Sequence, residues 1–130
     1  MDRLFLDANV LFSAAYRPNA GLLQFWKLTN VTLCSSRYAL AEAAINLAEE
    51  IQKRRLANLG RSLQFFESSP RQLPSSVSLP EKDRPILLAA LHSHATHLIT
   101  GDLRHFGPYL GKAIEGMLIV TPAQYLKTRP

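Results

Sequence analysis

Two short apolar stretches of this sequence each stop at an aspartate, and this pattern constrains the fold more than any other feature. Leu4-Phe5-Leu6 runs into Asp7, and Leu98-Ile99-Thr100-Gly101 runs into Asp102. Both stretches have the composition of a buried strand, and both adjoin residues that let the chain turn. Ligands of open α/β sheets bind in the crevice outside the carboxyl ends of the strands. We therefore expect Asp7 and Asp102 to meet in such a crevice, where they would repel each other unless a cation lay between them.

The rest of the chain alternates predicted helices and strands. The patterns predict strands at residues 3–6, 31–35, 98–102 and 117–120, and a short strand from residue 72. They predict helices at residues 9–15, 20–28, 37–56, 58–66 and 81–91, and a terminal helix that Thr121 caps. The helices at 37–56 and 58–66 would form a protruding αα-hairpin, a surface suited to dimerisation or to a partner.

Length and composition predict one globular domain over residues 1–130. The longest apolar run, residues 85–91, is far shorter than the roughly 20 residues of a membrane span, and the N-terminus lacks a signal-peptide pattern. The single cysteine, Cys34, lies in a predicted strand, where a small buried apolar residue is expected. We expect no membrane segment and a cytoplasmic location, where a lone thiol stays reduced.

The formal net charge of +5 and the pI of about 9.7 point to an anionic partner such as nucleic acid. The chain has ten acidic residues against 15 Lys and Arg. If four of the acids share one cleft, six remain to offset the basic residues elsewhere. A basic surface around an acidic cleft suits a metal-dependent phosphodiesterase, because the surface attracts phosphates and the cleft holds divalent cations.

Two further acids complete the candidate cleft. Glu42 lies near the start of the helix that follows the second strand, which is the end that adjoins the crevice. Glu49 is its nearest alternative, but it lies about 10 Å further along the helix. Asp83 starts the helix that precedes the strand ending in Asp102, where it is either an N-cap or a group facing the same cleft. Asp7 has the same N-cap alternative, and Glu42 has the alternative of a solvated helix charge.

Other polar residues have two interpretations each. Arg104 and His105 follow Asp102 in a loop, where they either contact substrate phosphate or are simply exposed. A basic run at residues 53–55, with Arg61 beyond it, is either a phosphate-binding patch or a solvated helix end. Three more histidines straddle a helix end and the next strand, so their spacing does not favour a zinc site: His92, His94 and His97.

Four ionised carboxylates cannot share a small cleft without compensating positive charge. Mg²⁺ or Mn²⁺ supplies that charge, and a pair of such ions can activate a water and stabilise the departing oxygen of a phosphodiester. The sequence has no Gly-rich phosphate loop, dinucleotide fingerprint or Ser-His-Asp motif that would indicate other chemistry. The residues alone therefore predict an acidic metal site on an α/β domain, built from Asp7, Glu42, Asp83 and Asp102.

These residues, in their order and spacing, resemble the PIN domain. The resemblance rests on LDANVL at residues 6–11, the helical Glu42, Asp83 ahead of an apolar helix, and LITGDLRHF at residues 98–106. It implies a three-layer α/β/α sandwich with a central, mostly parallel sheet, and a Mg²⁺- or Mn²⁺-dependent ribonuclease. It also places the family's acids on Asp7, Glu42, Asp83 and Asp102, with Asn9 and Thr100 as supporting polar groups.

The chain is similar in length to the VapC-type toxins of toxin–antitoxin pairs. That likeness implies a small antitoxin protein as a partner, RNA as the substrate, and a homodimer as the assembly. The sequence departs from some members of the family in one respect: no further acid follows Asp102 in the next four positions. Tight binding of a second metal ion is correspondingly less expected.

Three other classes of protein compete with a nuclease as interpretations of this sequence. A haloacid-dehalogenase-like phosphatase needs Asp-x-Asp after the first strand, and position 9 is Asn9. A phosphoacceptor receiver domain needs an acidic pair after the first strand and a late lysine, and neither is evident. A non-catalytic PIN-like module that binds RNA or a protein remains open, although the presence of all four acids argues against it.

Overall fold

A computed structural model describes residues 1–129, so Pro130, the last residue of the expected domain, lies outside the described residues. Its strands are β1 (Asp2–Leu6), β2 (Val31–Ser35), β3 (Gln64–Phe65), β4 (His97–Ile99), β5 (Ala113–Ile114) and β6 (Met117–Val120). Its α-helices are α1 (Ala8–Ala15), α2 (Gln24–Lys27), α3 (Arg37–Asn46), α4 (Glu50–Gly60), α5 (Arg84–His92) and α6 (Pro122–Lys127). Short 3₁₀ turns occupy Gly21–Leu23, Glu81–Asp83 and Gly107–Tyr109.

Within residues 1–129 the strands form a six-stranded sheet in the order β3-β2-β1-β4-β6-β5. Every pairing in this sheet is parallel except that of β5 with β6. Helices cover both faces, which confirms the expected three-layer α/β/α sandwich with a mostly parallel sheet. The chain builds outward from β1 through β2 to β3 and then returns to place β4 on the other side of β1. The point where the order reverses lies between β1 and β4, where such sheets bind ligands.

The central strands are buried on both faces. Leu4, Phe5 and Leu6 of β1 and Leu98 and Ile99 of β4 have no exposed surface. Strands covered by helices on both sides need apolar residues at every position, which explains why these stretches show continuous apolar runs without alternation. Leu6 pairs with Ile99, so the residues after both strands leave the sheet side by side.

The prediction of one helix at residues 37–56 is wrong, because this segment forms two helices, α3 and α4. α3 ends at Asn46, Leu47 has an extended backbone, and α4 begins after Glu49. The Gln52 side chain accepts a hydrogen bond of 3.1 Å from the Glu49 amide, a local interaction that starts a new helix. The break buries Leu47 and leaves Ile51 53% exposed.

The predicted helix at residues 58–66 and the αα-hairpin are also wrong. α4 ends at Gly60, and the chain then forms β3 beside β2. The amide of Phe66 donates to the carbonyl of Ser35 over 2.9 Å, so the apolar residues of this segment extend the sheet. The short strand expected from residue 72 does not form within the described residues.

Other predictions hold with small changes. The segment at 20–28 is a 3₁₀ turn followed by α2, and Thr121 caps α6 by accepting from the amide of Gln124 over 3.1 Å. Cys34 is fully buried, as expected. Among residues 1–129, the helices are all too short or too polar to cross a membrane.

Candidate metal centre and active site

A cavity of about 420 Å³ opens at the carboxyl edge of the sheet, beside the β1 and β4 ends. All four acids that the sequence singled out line it. The lining residues are Asp7, Ala8, Asn9, Phe12, Glu42, Ala43, Asn46, Lys82, Asp83 and Asp102.

Asp7 follows β1 directly and is only 5% exposed. Its Oδ1 accepts a hydrogen bond of 2.6 Å from the amide of Ala8, so Asp7 caps α1 as well as lining the cavity. Its Oδ2 accepts hydrogen bonds from Asn9 Nδ2 at 3.2 Å and from Thr100 Oγ1 at 2.8 Å. Burial raises the pKa of Asp7 to about 6, with Asp83 adding to the rise and the bonds from Thr100 and Ala8 opposing it. A buried carboxylate whose ionised form is disfavoured gains most from a nearby cation.

Asn9 and Thr100 join the loops that follow β1 and β4. Asn9 Oδ1 accepts from the amide of Gly101 at 2.7 Å, and Thr100 Oγ1 accepts from the amide of Asp102 at 3.0 Å. A Cβ on Gly101 would lie 3.2 Å from Asn9 Oδ1, so the close approach of the two loops favours glycine. Both residues thus hydrogen-bond to groups at the two strand ends, and Thr100 contacts both Asp7 and the amide of Asp102.

Asp102 is held by the loop that follows it. Its Oδ1 accepts from the amides of Arg104 and His105, both at 3.0 Å, and its Oδ2 lies 2.9 Å from His105 Nδ1. Partial burial acts to raise the pKa of Asp102, but the hydrogen bonds and charge of His105, with the amide of Arg104, lower it overall. Asp102 is therefore an ionised acceptor under ordinary conditions.

Asp83 lies at the end of the 3₁₀ turn that leads into α5, and its side chain makes no capping hydrogen bond within residues 1–129. Its Oδ2 is 3.0 Å from His105 Nδ1, but a single ring nitrogen directs one hydrogen, and that bond goes to Asp102. Asp83 Oδ2 is consequently buried without a hydrogen-bond partner among the described residues. Burial, with Asp102 adding to it, raises the pKa of Asp83 against the opposing charges of His105 and Lys82.

Glu42 lies in the second turn of α3, which Ser36 caps at the carboxyl edge of the sheet. It is half-buried and lines the cavity, whereas Glu49 is exposed and lies beyond the end of α3. The hydroxyl of Tyr38 donates to the carbonyl of Lys82 over 2.7 Å and so ties α3 to the turn that bears Asp83. Burial and then the charge of Glu42 raise the pKa of Tyr38.

The tightest group of ligand atoms includes a residue to which the sequence assigned a different role. Atoms of Asp83, Asp102 and His105 all lie within 4.8 Å of one another. His105, expected to contact phosphate or solvent, instead directs its ring at two carboxylates. Asp7 and Glu42 line the same cavity outside this group. Arg104 is exposed to solvent, which was one of the two interpretations given for it.

Sequence reasoning missed Lys82 and Asn46, which also line the cavity. Lys82 is exposed and precedes Asp83 in the sequence. Its position next to a candidate acid could have indicated that it lines the cavity. Asn46 follows Glu42 by four residues, a spacing that places both on one helix face. Its Nδ2 donates to the carbonyl of Glu42 over 3.0 Å.

The remaining candidates do not join the site. Arg55, in the basic run, donates to the carbonyls of Ala15 and Tyr16 at 2.9 and 3.0 Å and so satisfies the end of α1. Lys53 and Arg54 are exposed. Of the other histidines, His97 packs its ring edge against Tyr125, and within residues 1–129 none of the three forms a group of metal ligands.

The donors at the cavity fit a divalent cation. Carboxylate oxygens are the ligands that Mg²⁺ and Mn²⁺ prefer. Asp83 presents a buried oxygen without a hydrogen-bond partner among residues 1–129, which is an arrangement that a cation would stabilise. The acidic group can therefore hold a metal ion on the evidence of its own geometry.

Comparisons with known proteins bear on the fold. No family model matches the chain, and no curated protein matches it significantly. Among solved structures, it is similar to a chain in the crystal structure of VapBC2 from Rickettsia felis bound to a DNA fragment from its promoter. The TM-score is 0.64 at 14% identity, and the match covers 92% of this chain and 98% of the other. A likeness at this identity establishes a shared fold, and any argument about activity rests on the site.

Proposed function

We propose that the protein is a divalent-metal-dependent endoribonuclease with a PIN-like domain over residues 1–130. The observation that carries the proposal is the convergence of Asp7, Glu42, Asp83 and Asp102 on one cavity at the switch point of the sheet. A hydrolase of phosphodiesters needs such a group of oxygen ligands in a cleft open to a polymer. Asn9 and Thr100 are the groups that orient the strand-end acids.

The cofactor in this proposal is Mg²⁺ or Mn²⁺, held by the four acids. Such an ion, when bound, lowers the pKa of a water and stabilises negative charge on phosphate oxygens. The protein's own contribution is orientation: Thr100 and Asn9 fix Asp7, and the backbone amides after Asp102 fix that carboxylate. Lys82, which lines the cavity, would bind a substrate phosphate, and so would the exposed Arg104, two residues after Asp102.

We propose further that the chain is the toxin of a toxin–antitoxin pair in the cytoplasm. The support is the shared fold with a chain of VapBC2, a complex that binds promoter DNA. On this proposal the partners are an RNA substrate, an antitoxin protein and a second copy of the chain in a homodimer. The net charge of +5 supports an RNA substrate because phosphates dominate nucleic-acid affinity.

The test uses the purified full-length chain, Mn²⁺ and a mixture of labelled RNAs. The wild type is expected to cleave RNA with Mn²⁺ and to stop when the metal is chelated. Asp7→Asn and Asp102→Asn are expected to lose at least about 10³-fold in rate, as when a catalytic group is removed. Glu49→Gln, which alters an exposed acid beyond the end of α3, is the matched control and should cleave normally. Cleavage that survives in both aspartate variants would refute the proposal.

A non-catalytic module that binds RNA or a protein is the second candidate. One observation favours it: the His105 ring already contacts two of the acids, so it can offset their charge without a metal ion. This candidate predicts RNA or protein binding that does not depend on Mn²⁺ and no cleavage by the wild type. The cleavage assay described above distinguishes the two functions.

A further inference from the structure

The loop after Asp102 places an imidazole among the acids, and the proposed nuclease gives this ring no role of its own. We propose that Nδ1 of His105 is a direct ligand of the metal ion, and that the site therefore selects Mn²⁺ over Mg²⁺. This inference rests on the metal dependence in the proposed function and names the ion that the site prefers.

The first argument is the spacing of the ligand atoms. His105 Nδ1 lies 2.9 Å from Asp102 Oδ2 and 3.0 Å from Asp83 Oδ2. Two adjacent ligands of an octahedral ion with bonds of about 2.1 Å lie about 3.0 Å apart. The distances from Nδ1 to the two carboxylate oxygens therefore match the distances between neighbouring ligands of such an ion.

The second argument is the hydrogen-bond inventory of the group. A ring nitrogen carries either one hydrogen or one lone pair, so Nδ1 cannot satisfy two carboxylates at once. Asp83 Oδ2 remains buried without a hydrogen-bond partner within residues 1–129. With the ring proton on the other nitrogen, Nδ1 and the two carboxylates would each offer a lone pair from atoms that lie within 4.8 Å of one another, and a cation bound among them would satisfy all three.

The third argument is that the ring is held in place. The amide of His105 donates to Asp102 Oδ1 at 3.0 Å, and the amide of Phe106 donates to the Asp102 carbonyl at 3.2 Å. Phe106 is fully buried and anchors the loop in the core. The His105 side chain is 23% exposed, so most of its surface is already removed from water. A ligand that is positioned before the ion arrives loses little conformational freedom on binding.

Selectivity follows from ligand chemistry. Mg²⁺ is a hard ion that prefers oxygen and keeps its waters, whereas Mn²⁺ and the later divalent ions also accept imidazole nitrogen. A site of carboxylates alone would have less reason to discriminate between the two. The nitrogen of His105 thus biases the site toward Mn²⁺.

The decisive experiment is electron spin-echo envelope modulation of Mn²⁺ bound to the full-length wild type. This spectrum detects a directly bound ¹⁴N without any mutation. We expect ¹⁴N modulation in the wild type, its loss in His105→Ala and its retention in His92→Ala. His92 is an exposed histidine at the far end of α5 and serves as the matched control.

Calorimetric titration gives a second readout. Removal of His105 should weaken Mn²⁺ binding by about tenfold or more, since partners of metal ligands alone account for losses of that size. Mg²⁺ affinity should change little, so the ratio of the two affinities falls in His105→Ala and is unchanged in His92→Ala. Equal losses for both ions would contradict a selective nitrogen ligand.

The outcomes separate this inference from the proposed function. Bound Mn²⁺ without ¹⁴N modulation, or modulation that persists in His105→Ala, overturns the inference and leaves a carboxylate-only nuclease intact. Nitrogen-coupled Mn²⁺ in a protein that cleaves no RNA supports the inference and overturns the nuclease. A wild type that binds no Mn²⁺ overturns both.

Discussion

The Thr100 hydroxyl and the Asp7 carboxylate lie 2.8 Å apart, and the same hydroxyl accepts a hydrogen bond from the amide of Asp102. One side chain therefore orients the acids at the ends of both central strands. Thr100 is fully buried, so water cannot replace either hydrogen bond.

Replacing Thr100 with valine should destabilise the protein. Thr100→Val keeps the shape of the side chain but leaves Asp7 Oδ2 short of one donor and the Asp102 amide without its acceptor. Unsatisfied buried groups cost about 1–3 kcal/mol, so we expect a loss of about 2 kcal/mol in the free energy of unfolding, measured by urea denaturation. Thr100→Ser retains the hydroxyl and should recover most of that loss. Equal stabilities for the two variants would show that the hydroxyl is dispensable.

Asp7→Asn should stabilise the metal-free protein at neutral pH. The folded-state pKa of Asp7, about 6, lies above its ordinary value of 3.8, so the contribution of Asp7 to stability is full below pH 3.8 and is lost as pH rises through 6. This difference in pKa corresponds to about 3 kcal/mol in the free energy of unfolding at neutral pH. Part of the gain is offset because the single amide oxygen can replace Oδ2, which accepts from Asn9 and Thr100, but then the amide of Ala8 loses the acceptor that Oδ1 provided.

The check is to measure the free energy of unfolding of both proteins in chelator at several pH values. The advantage of Asp7→Asn should be greatest above pH 6 and shrink toward pH 4. An advantage that does not change with pH would mean that the buried charge is not its source.

Metal affinity should depend on pH through the same carboxyl group. Because the Asp7 proton must leave when a cation binds, Mn²⁺ affinity should be constant above the pKa of about 6 and fall as pH drops below it. The expected decrease is about tenfold per pH unit for one displaced proton. Titration calorimetry at pH 7 and pH 5 measures it directly, and equal affinities at the two values would exclude this coupling.

RNA affinity should fall steeply with salt, and Lys82 should account for part of the slope. Loss of one phosphate contact reduces the slope of log affinity against log salt by about one. Fluorescence anisotropy with Lys82→Ala, in an Asp102→Asn background that prevents cleavage, provides the measurement. Lys27→Ala is the control, because Lys27 is exposed before β2 at the opposite edge of the sheet. A flat salt response would count against RNA as the partner.

The strands that hold the site were predictable because their buried parts, residues 4–6 and 98–99, are continuous apolar runs. β1 and β4 lie in a sheet that helices cover on both faces. A short, continuous apolar run is typical of a strand in that position. The cap at Thr121 was an equally local signal. The strand-end rule places Asp7 and Asp102 at the cavity, and Glu42 and Asp83 reach it from the starts of α3 and α5.

The break between α3 and α4 could not be predicted from periodicity. Helical spacing continues through residues 47–49, and the break comes from burial of Leu47 and a new helix start at Glu49. β3 was missed because Gln64 and Phe65 form a strand only beside β2, a contact distant in sequence. The position of the His105 ring depends on the side chains of Asp83 and Asp102 together, which no local pattern specifies.

The pairing of β1 with β4 sets the order in which the two halves of the cleft can form. β1 ends at Leu6, whereas β4 begins at His97, so the ribosome releases Asp7 and Glu42 long before Thr100 and Asp102 exist. Until then the central strand has one open edge and the first acids have no counterpart. A chain that stalls before residue 97 therefore carries half a cleft, and the acids of the two strand ends can meet only after residue 102 has been made.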